Sequence, residues 1–390
     1  MTLYPHQETG RDWLAARKRA YLADIMGNGK SAQATTAAAL IEPESTVIVC
    51  PASAVPNWHA EWEMWGGPGT PEIISYSTLA RRKTRARPQL VILDEAHYVK
   101  SPSAKRTRAA LRLAQSAEYA WLLSATPMPN NPTELYAPVK YLWPEVLEEL
   151  GLRTADDWMH HFCKVRRTRY GYKPYAVRNG AQLRSILQRF MLRRTDRSNW
   201  PALRVDLYRL PKDVADLSAY ESMQADERTY SSSLRRVLGV AKAPAVARQI
   251  NEELDARAYR KIVVMYYHKD VGDVLRQSFE NAGHTVVGFD GSTPQPQRWE
   301  AIQTFQKGDA QVFLAQQMSA GVAINLTAAN EIVLVEPAWT PDDNSQAIAR
   351  IRRIGQDRPC RARIFAIAGT IDMNVMATIK AKVKMQREVL

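Results

Sequence analysis

The stretch Asp24-Ile25-Met26-Gly27-Asn28-Gly29-Lys30-Ser31 decides how the rest of the 390-residue chain reads. It lies between an apolar run at 20–23 and an Ala/Thr/Leu-rich segment at 32–40 with helical composition. Gly27 and Gly29 can take backbone angles closed to other residues, so the loop can turn its N–H groups inward. Inward N–H groups at a helix N-terminus form an anion site. Lys30 adds a mobile positive charge for the β- and γ-phosphates of a nucleotide, and Ser31 a hydroxyl for Mg²⁺. Asp24 stands where the general phosphate-loop pattern has its first glycine. A plain glycine-rich turn before a helix would share several of these features.

The neighbouring sequence carries the same architecture outward. Residues 46–50 (TVIVC), 89–93 (QLVIL) and 119–123 (YAWLL) are short apolar runs that predict buried strands. Helical patterns at 57–65 and 103–114 lie between them. Strands alternating with helices predict a parallel sheet flanked by helices, an α/β fold. Residues 141–180 break the rhythm with aromatics, His160-His161 and a basic run, and read as a mostly helical insertion. Residues 181–191 read as a helix, and 192–195 lead into a linker ending near Pro211. A polar helical segment follows to residue 257. A second alternating series then begins, with strands expected at 261–266, 285–288, 311–314, 331–335 and 362–365. The expected division is 1–198, a linker and helical segment at 199–257, and 258–390.

Composition narrows the chemistry. Lys and Arg number 53 against 40 Asp and Glu, a formal charge of +13. That excess favours a polyanionic partner, nucleic acid first among them. The three cysteines (Cys50, Cys163, Cys360) are far apart and form no C-x-x-C pair, which argues against a zinc site or a disulfide framework. No apolar run approaches the roughly 20 residues that span a bilayer, and residues 1–7 lack a basic start followed by an apolar stretch. A cytoplasmic address with no membrane partner is expected.

Asp94-Glu95-Ala96-His97 follows directly on the strand at 90–93. A carboxylate there, in a chain with a phosphate loop, is placed to hold Mg²⁺, and Glu95 to orient or deprotonate an attacking water. Ser124-Ala125-Thr126-Pro127 follows the next strand, where small hydroxyls can link a nucleotide site to a neighbouring surface. Gln346, Arg350 and Arg353 are spaced i, i+4, i+7, which predicts one helix face presenting two guanidinium groups suited to a triphosphate.

These segments, in this order, resemble the Swi/Snf family of superfamily-two ATPases. The motifs are Leu3-x-Pro5-x-Gln7, DxxGxGKS, VCPASxVPNW, DEAH, SATPxPN, FMLRR, AGVAINLTAAN and QxxxRxxRIGQ. The resemblance covers nearly the whole chain and implies two tandem RecA-like domains with small helical insertions. It implies ATP and Mg²⁺ as ligands and double-stranded DNA as partner. Gln7 would read the adenine, with Tyr4 nearby. Asp24, Gly27, Asn28, Gly29, Lys30, Ser31 and Gln346 would line the nucleotide site, with Ser31 and Asp94 on the metal. Lys30, Asp94, Glu95, Arg350 and Arg353 would be catalytic, the two arginines acting as fingers from the second lobe. Ser75, Tyr76, Ser124, Thr126, Arg193, Arg194 and Asn325 would couple the site to DNA or contact it. Ile25, Ala320, Ala323 and Arg352 depart from the family pattern, and none of them removes a catalytic group.

A translocase tracks phosphates rather than bases. The basic runs 81–87, 105–108 and 166–169 are further candidates for that contact. The expected activity is DNA-stimulated ATP hydrolysis by a bare, monomeric motor that moves along DNA or remodels a protein bound to it. A strand-separating helicase and a nucleotide-switched binding module are the alternatives. Trp58, Trp62 and Trp65 share the spacing of one buried helix face, and core packing is expected of them.

Overall fold

The computed structural model describes residues 2–82, 87–169, 171–195, 200–226, 230–317, 324–353 and 355–390. The chain divides into two units, Met1–Asp196 with Ala381–Leu390, and Arg197–Lys380. Parts of three sequence readings lie outside the described residues: the basic run at 83–86, the Ala320 and Ala323 departures, and Ile354.

Among the described residues the first unit holds eight strands: β1 (Arg19–Leu22), β2 (Thr46–Cys50), β3 (Glu72–Ser75), β4 (Leu90–Asp94), β5 (Tyr119–Leu123), β6 (Cys163–Thr168), β7 (Gly171–Val177) and β8 (Met191–Leu192). Six of them form a parallel sheet in the order β3-β2-β4-β5-β1-β8. The central strands are buried on both faces, which is why Leu90 to Leu93 read as a continuous apolar run rather than an alternating one. The helices Val55–Met64 and Lys105–Ser116 fall where the apolar periodicity predicts them.

The second unit contributes β9 (Leu203–Leu210), β10 (Ile262–Tyr266), β11 (Val286–Phe289), β12 (Val312–Gln316), β13 (Glu331–Leu334) and β14 (Cys360–Ile367). They form a second parallel sheet in the order β11-β12-β10-β13-β14-β9. Both units are therefore RecA-like α/β layers, as the resemblance implies.

Two segments differ from their sequence reading. The stretch taken as a linker up to Pro211 supplies β9, paired along its full length with β14. Leu203, Tyr208 and Leu210 pack against the cores while Val205 and Leu207 stay exposed, the partial burial of a strand at the sheet edge. The helix Ser231–Asp255 packs Ala243, Val246, Ala247, Ile250 and Leu254 onto the same sheet's core. The insertion at 141–180 holds helices Pro144–Glu149 and Ala155–Phe162, but then the antiparallel hairpin β6–β7. Gly171, at a φ of 100°, begins the return strand in a conformation that favours glycine.

Lys242, on the Ser231–Asp255 helix, is fully buried. Its Nζ donates to Asp372 Oδ2 at 2.7 Å and to the Phe365 carbonyl at 3.1 Å. Removing one partner of a buried pair strands the other charge in the core. Lys242→Met is therefore expected to cost the second unit about 3–5 kcal/mol in urea unfolding, and Lys242→Met with Asp372→Leu far less. A single variant within about 1 kcal/mol of the wild type would contradict this reading.

Candidate nucleotide site

β4, β5 and β1 are adjacent, so the segments that follow them meet at one edge of the first sheet. The loop 24–31 follows β1, Asp94 and Glu95 end β4, and Ser124 to Thr126 follow β5. The carboxyl edge of a parallel sheet is where α/β folds bind ligands.

The loop itself matches expectation in its glycines. Gly27 and Gly29 sit at φ 85° and 68°, and Gly29 caps the helix Lys30–Ile41 in the left-handed region. A Cβ on Gly29 would lie 2.1 Å from Gln7 Nε2. Gln7 is buried against this loop: its Nε2 donates to the Asn28 carbonyl at 3.3 Å and its Oε1 accepts from Tyr4 N at 3.0 Å. Lys30 Nζ donates to the carbonyls of Asp24 (3.0 Å) and Ile25 (3.4 Å). Burial lowers its pKa below the usual lysine value, while the charges of Glu95, Asp24 and Asp94 oppose that shift.

Asp24 does not face into the loop. Its carboxylate is wholly buried and points at Arg194, which follows β8. Oδ1 accepts from Arg194 N and Nε, both at 3.0 Å, and Oδ2 accepts from Arg194 Nη2 and from Gln33 Nε2 at 3.3 Å. Arg194 also donates to Gln33 Oε1 at 2.7 Å and to the His6 carbonyl. Arg193 Nη1 donates to the carbonyls of Ala23 and Ala125, both at 3.0 Å. The expected DNA contact of Arg193 and Arg194 is thus corrected. Both arginines are spent on the strand ends beneath the loop, because β8 lies directly beside β1. Asp24 is likewise a support of the loop rather than a nucleotide contact.

Asp94 Oδ2 accepts from Trp58 Nε1 at 2.8 Å, and Oδ1 from the Glu95 N–H at 2.9 Å. Trp58 and Trp62 are buried, as expected of a core face, but Trp58 also carries this hydrogen bond. The VPNW motif was its only sequence signal. Gln33 was missed as well; a buried glutamine in an alanine-rich helix is the cue that could have found it. Burial, reinforced by the charge of Glu95, pushes the Asp94 carboxyl up to about 6, against the Trp58 hydrogen bond and Lys30. Two adjacent carboxyl groups short of positive charge fit a hard divalent cation. Among the described residues no cluster of three or more His, Cys, Asp or Glu could cage a metal. Mg²⁺ suits such a place, since it takes one or two carboxylates together with substrate phosphates.

Glu95 has a φ of 49°, in the left-handed region, which costs a non-glycine residue on the order of 1–2 kcal/mol. A relay runs from it across the sheet edge. Glu95 Oε2 lies 3.2 Å from His97 Nδ1, which lies 3.1 Å from Ser124 Oγ, which accepts from Thr126 N at 3.1 Å. Tyr76 OH donates to the Asp94 carbonyl at 2.8 Å, and Ser75 caps the helix Tyr76–Arg81 by accepting from Thr78 N. Ser75 and Tyr76 are both buried, and the Tyr76 hydroxyl ties the start of this helix to the carboxylate strand.

In the second unit, the helix that carries Gln346 ends at Ile348. Arg350 and Arg353 lie in the tight turns beyond it, with Arg350 N donating to Ala347 O at 3.1 Å and Ile351 N to Ile348 O at 3.2 Å. The one-face arithmetic for Gln346, Arg350 and Arg353 is thus corrected, because the helix has already stopped. Arg350 is buried, its carbonyl accepting from Leu326 N at 2.9 Å. Arg353 Nη1 donates to the Ile324 carbonyl at 2.8 Å. Asn325 is exposed, its Oδ1 accepting from Thr327 N at 3.2 Å.

Trp58→Phe keeps the packing and removes a hydrogen bond that favours ionised Asp94. The carboxyl should then titrate at higher pH, by about one unit. Carboxyl ¹³C NMR of both proteins measures this, and an unmoved midpoint would contradict the assigned hydrogen bond.

The chain matches the SNF2-related domain over residues 70–257 and the Helicase conserved C-terminal domain over residues 245–355. It is similar to the SWI/SNF-related matrix-associated actin-dependent regulator of chromatin subfamily A-like protein 1 homolog of Caenorhabditis elegans, 27% identical over 91% of this chain and 57% of the relative. It is also similar to the human DNA annealing helicase and endonuclease ZRANB3, 27% identical over 97% of this chain and 40% of the relative. The chain therefore spans between 40% and 57% of these relatives' lengths. A solved structure, the Sulfolobus solfataricus SWI2/SNF2 ATPase core in complex with dsDNA, aligns over 100% of this chain and 95% of that one, with a TM-score of 0.45 and 21% identity. The motifs, the two parallel sheets and the two matched domains together make this chain a member of the Swi/Snf family of superfamily-two helicase-like proteins.

Proposed function

We propose that the chain hydrolyses ATP to drive movement along double-stranded DNA, or remodelling of a protein bound to it. The observation that carries this reading is the meeting of the loop 24–31, Asp94 with Glu95, and Ser124 to Thr126 at the ends of three neighbouring strands. Support comes from the two matched family domains, the +13 charge and the relatives' names, which include a DNA annealing helicase.

The residues divide the work as follows. The loop N–H groups and Lys30 receive the phosphates, and Gln7 with Tyr4 the adenine edge. Ser31 and Asp94 would hold Mg²⁺, which when bound offsets phosphate charge and orients the β- and γ-oxygens. Glu95 takes the proton of the attacking water as its oxygen bonds to the γ-phosphorus and the bond to ADP breaks. Arg350 and Arg353 would serve as fixed positive charges for the transferred phosphoryl. The Glu95–His97–Ser124–Thr126 relay is the coupling route. A monomeric, cytoplasmic or chromosome-associated motor belongs to the same proposal.

Duplex DNA should stimulate phosphate release strongly, and Lys30→Ala should abolish it. Glu95→Gln should keep ATP binding and slow hydrolysis at least about a hundredfold. The motor should displace a third strand from a triplex without unwinding a fork. Full hydrolysis without DNA, or an active Lys30→Ala protein, would overturn the reading.

A further inference from the structure

The β6–β7 hairpin is not used by the nucleotide site, yet its chemistry is one-sided. Residues 163–178 contain Lys164, Arg166, Arg167, Arg169, Lys173 and Arg178, three tyrosines and no acid. Its base is anchored: Cys163 and Val177 are buried, and Arg178 N donates to the Phe162 carbonyl at 2.8 Å. Beyond the base both strands are wet. Lys164, Arg166, Arg167 and Lys173 are exposed, and Tyr172 and Tyr175 are 53% and 52% exposed.

The register places Arg166 directly opposite Lys173. Like charges facing across a strand pair destabilise it. Among the described residues neither has an ion-pair partner, nor have Lys164 and Arg167. Asp156, on the preceding helix, lies 3.7 Å from His160. Arg167 faces Tyr172, whose ring meets the His160 ring edge-on at 5.0 Å. Cations and flat rings therefore lie together on an exposed ribbon, where the facing Arg166 and Lys173 gain nothing from each other. Cations suit phosphates, and exposed aromatic rings stack on unpaired bases in a sequence-tolerant way. A duplex hides its base faces, so the tyrosines add affinity only where a strand is single.

We propose that this hairpin binds single-stranded nucleic acid next to a duplex, with Arg166, Arg167 and Lys173 on the phosphates and Tyr172 and Tyr175 stacked on unpaired bases. The proposal rests on the DNA-motor reading. An acidic protein segment would also meet the positive charge, but it leaves the two exposed tyrosine rings unexplained.

The test uses the full chain and two labelled probes, a blunt duplex and the same duplex with a single-stranded thymidine tail. The wild type should prefer the tailed probe. Tyr172→Ala with Tyr175→Ala should weaken tailed-probe binding about tenfold and leave the blunt duplex unchanged. Tyr172→Phe with Tyr175→Phe should keep the preference, which separates stacking from a folding defect. Arg166→Glu with Lys173→Glu should reduce the salt dependence of tailed-probe binding. The alanine variant binding both probes like the wild type would overturn the hairpin assignment while leaving the motor reading intact. Charge-reversed protein that keeps both DNA affinities but loses polyglutamate binding would assign the hairpin to an acidic protein and overturn it too. A wild type that binds neither probe would overturn the motor reading and the hairpin with it.

Discussion

The rest of the nucleotide site depends on one buried carboxylate. Asp24 begins the phosphate loop, is inaccessible to solvent, and is answered by an arginine 170 residues later in the chain. An isolated buried charge is costly, so the loop is stable in this form only while Arg194 and Gln33 complete the network. That requirement places β8 beside β1, and with it the strand end that carries Arg193 against the carbonyls of Ala23 and Ala125. The loop's backbone is thereby fixed from below, with Ile25 N donating to the Arg194 carbonyl at 3.3 Å.

The carboxylate strand is held in a comparable way. Trp58 and the Glu95 N–H grip the Asp94 carboxyl, and Tyr76 holds its carbonyl. Glu95 is kept in a left-handed conformation that no local preference supplies. Such strain persists only where the surroundings over-determine it, and it clusters where geometry serves chemistry. The series of close contacts through His97 and Ser124 to Thr126 gives that strained residue a physical connection to the next strand.

Much of this was legible in the chain. The loop glycines announced their backbone angles, and the β-branched runs at 46–50 and 89–93 announced a sheet buried on both faces. Their order placed Asp94 and Ser124 at strand ends. What stayed hidden depended on distant partners. Nothing near Asp24 shows that its carboxylate turns toward residue 194, and Arg193-Arg194 looked like surface charge because their acceptors lie far back in the sequence. The helix after Pro341 seemed to run through Arg353 on spacing alone, but its end at Ile348 is followed by a turn in which the Arg350 carbonyl bonds Leu326. The strand at 203–210 was obscured by its wet face, and the β6–β7 hairpin by its basic composition.

The most direct test of the account is a double-mutant cycle on Asp24 and Arg194, read by the affinity for a fluorescent ATP analogue. Asp24→Asn and Arg194→Met should each weaken binding by about tenfold or more, and the double variant should be no worse than either. The implied coupling is about 1.5–3 kcal/mol. Strictly additive losses, or an Arg194→Met protein that binds ATP normally and loses only DNA affinity, would contradict it.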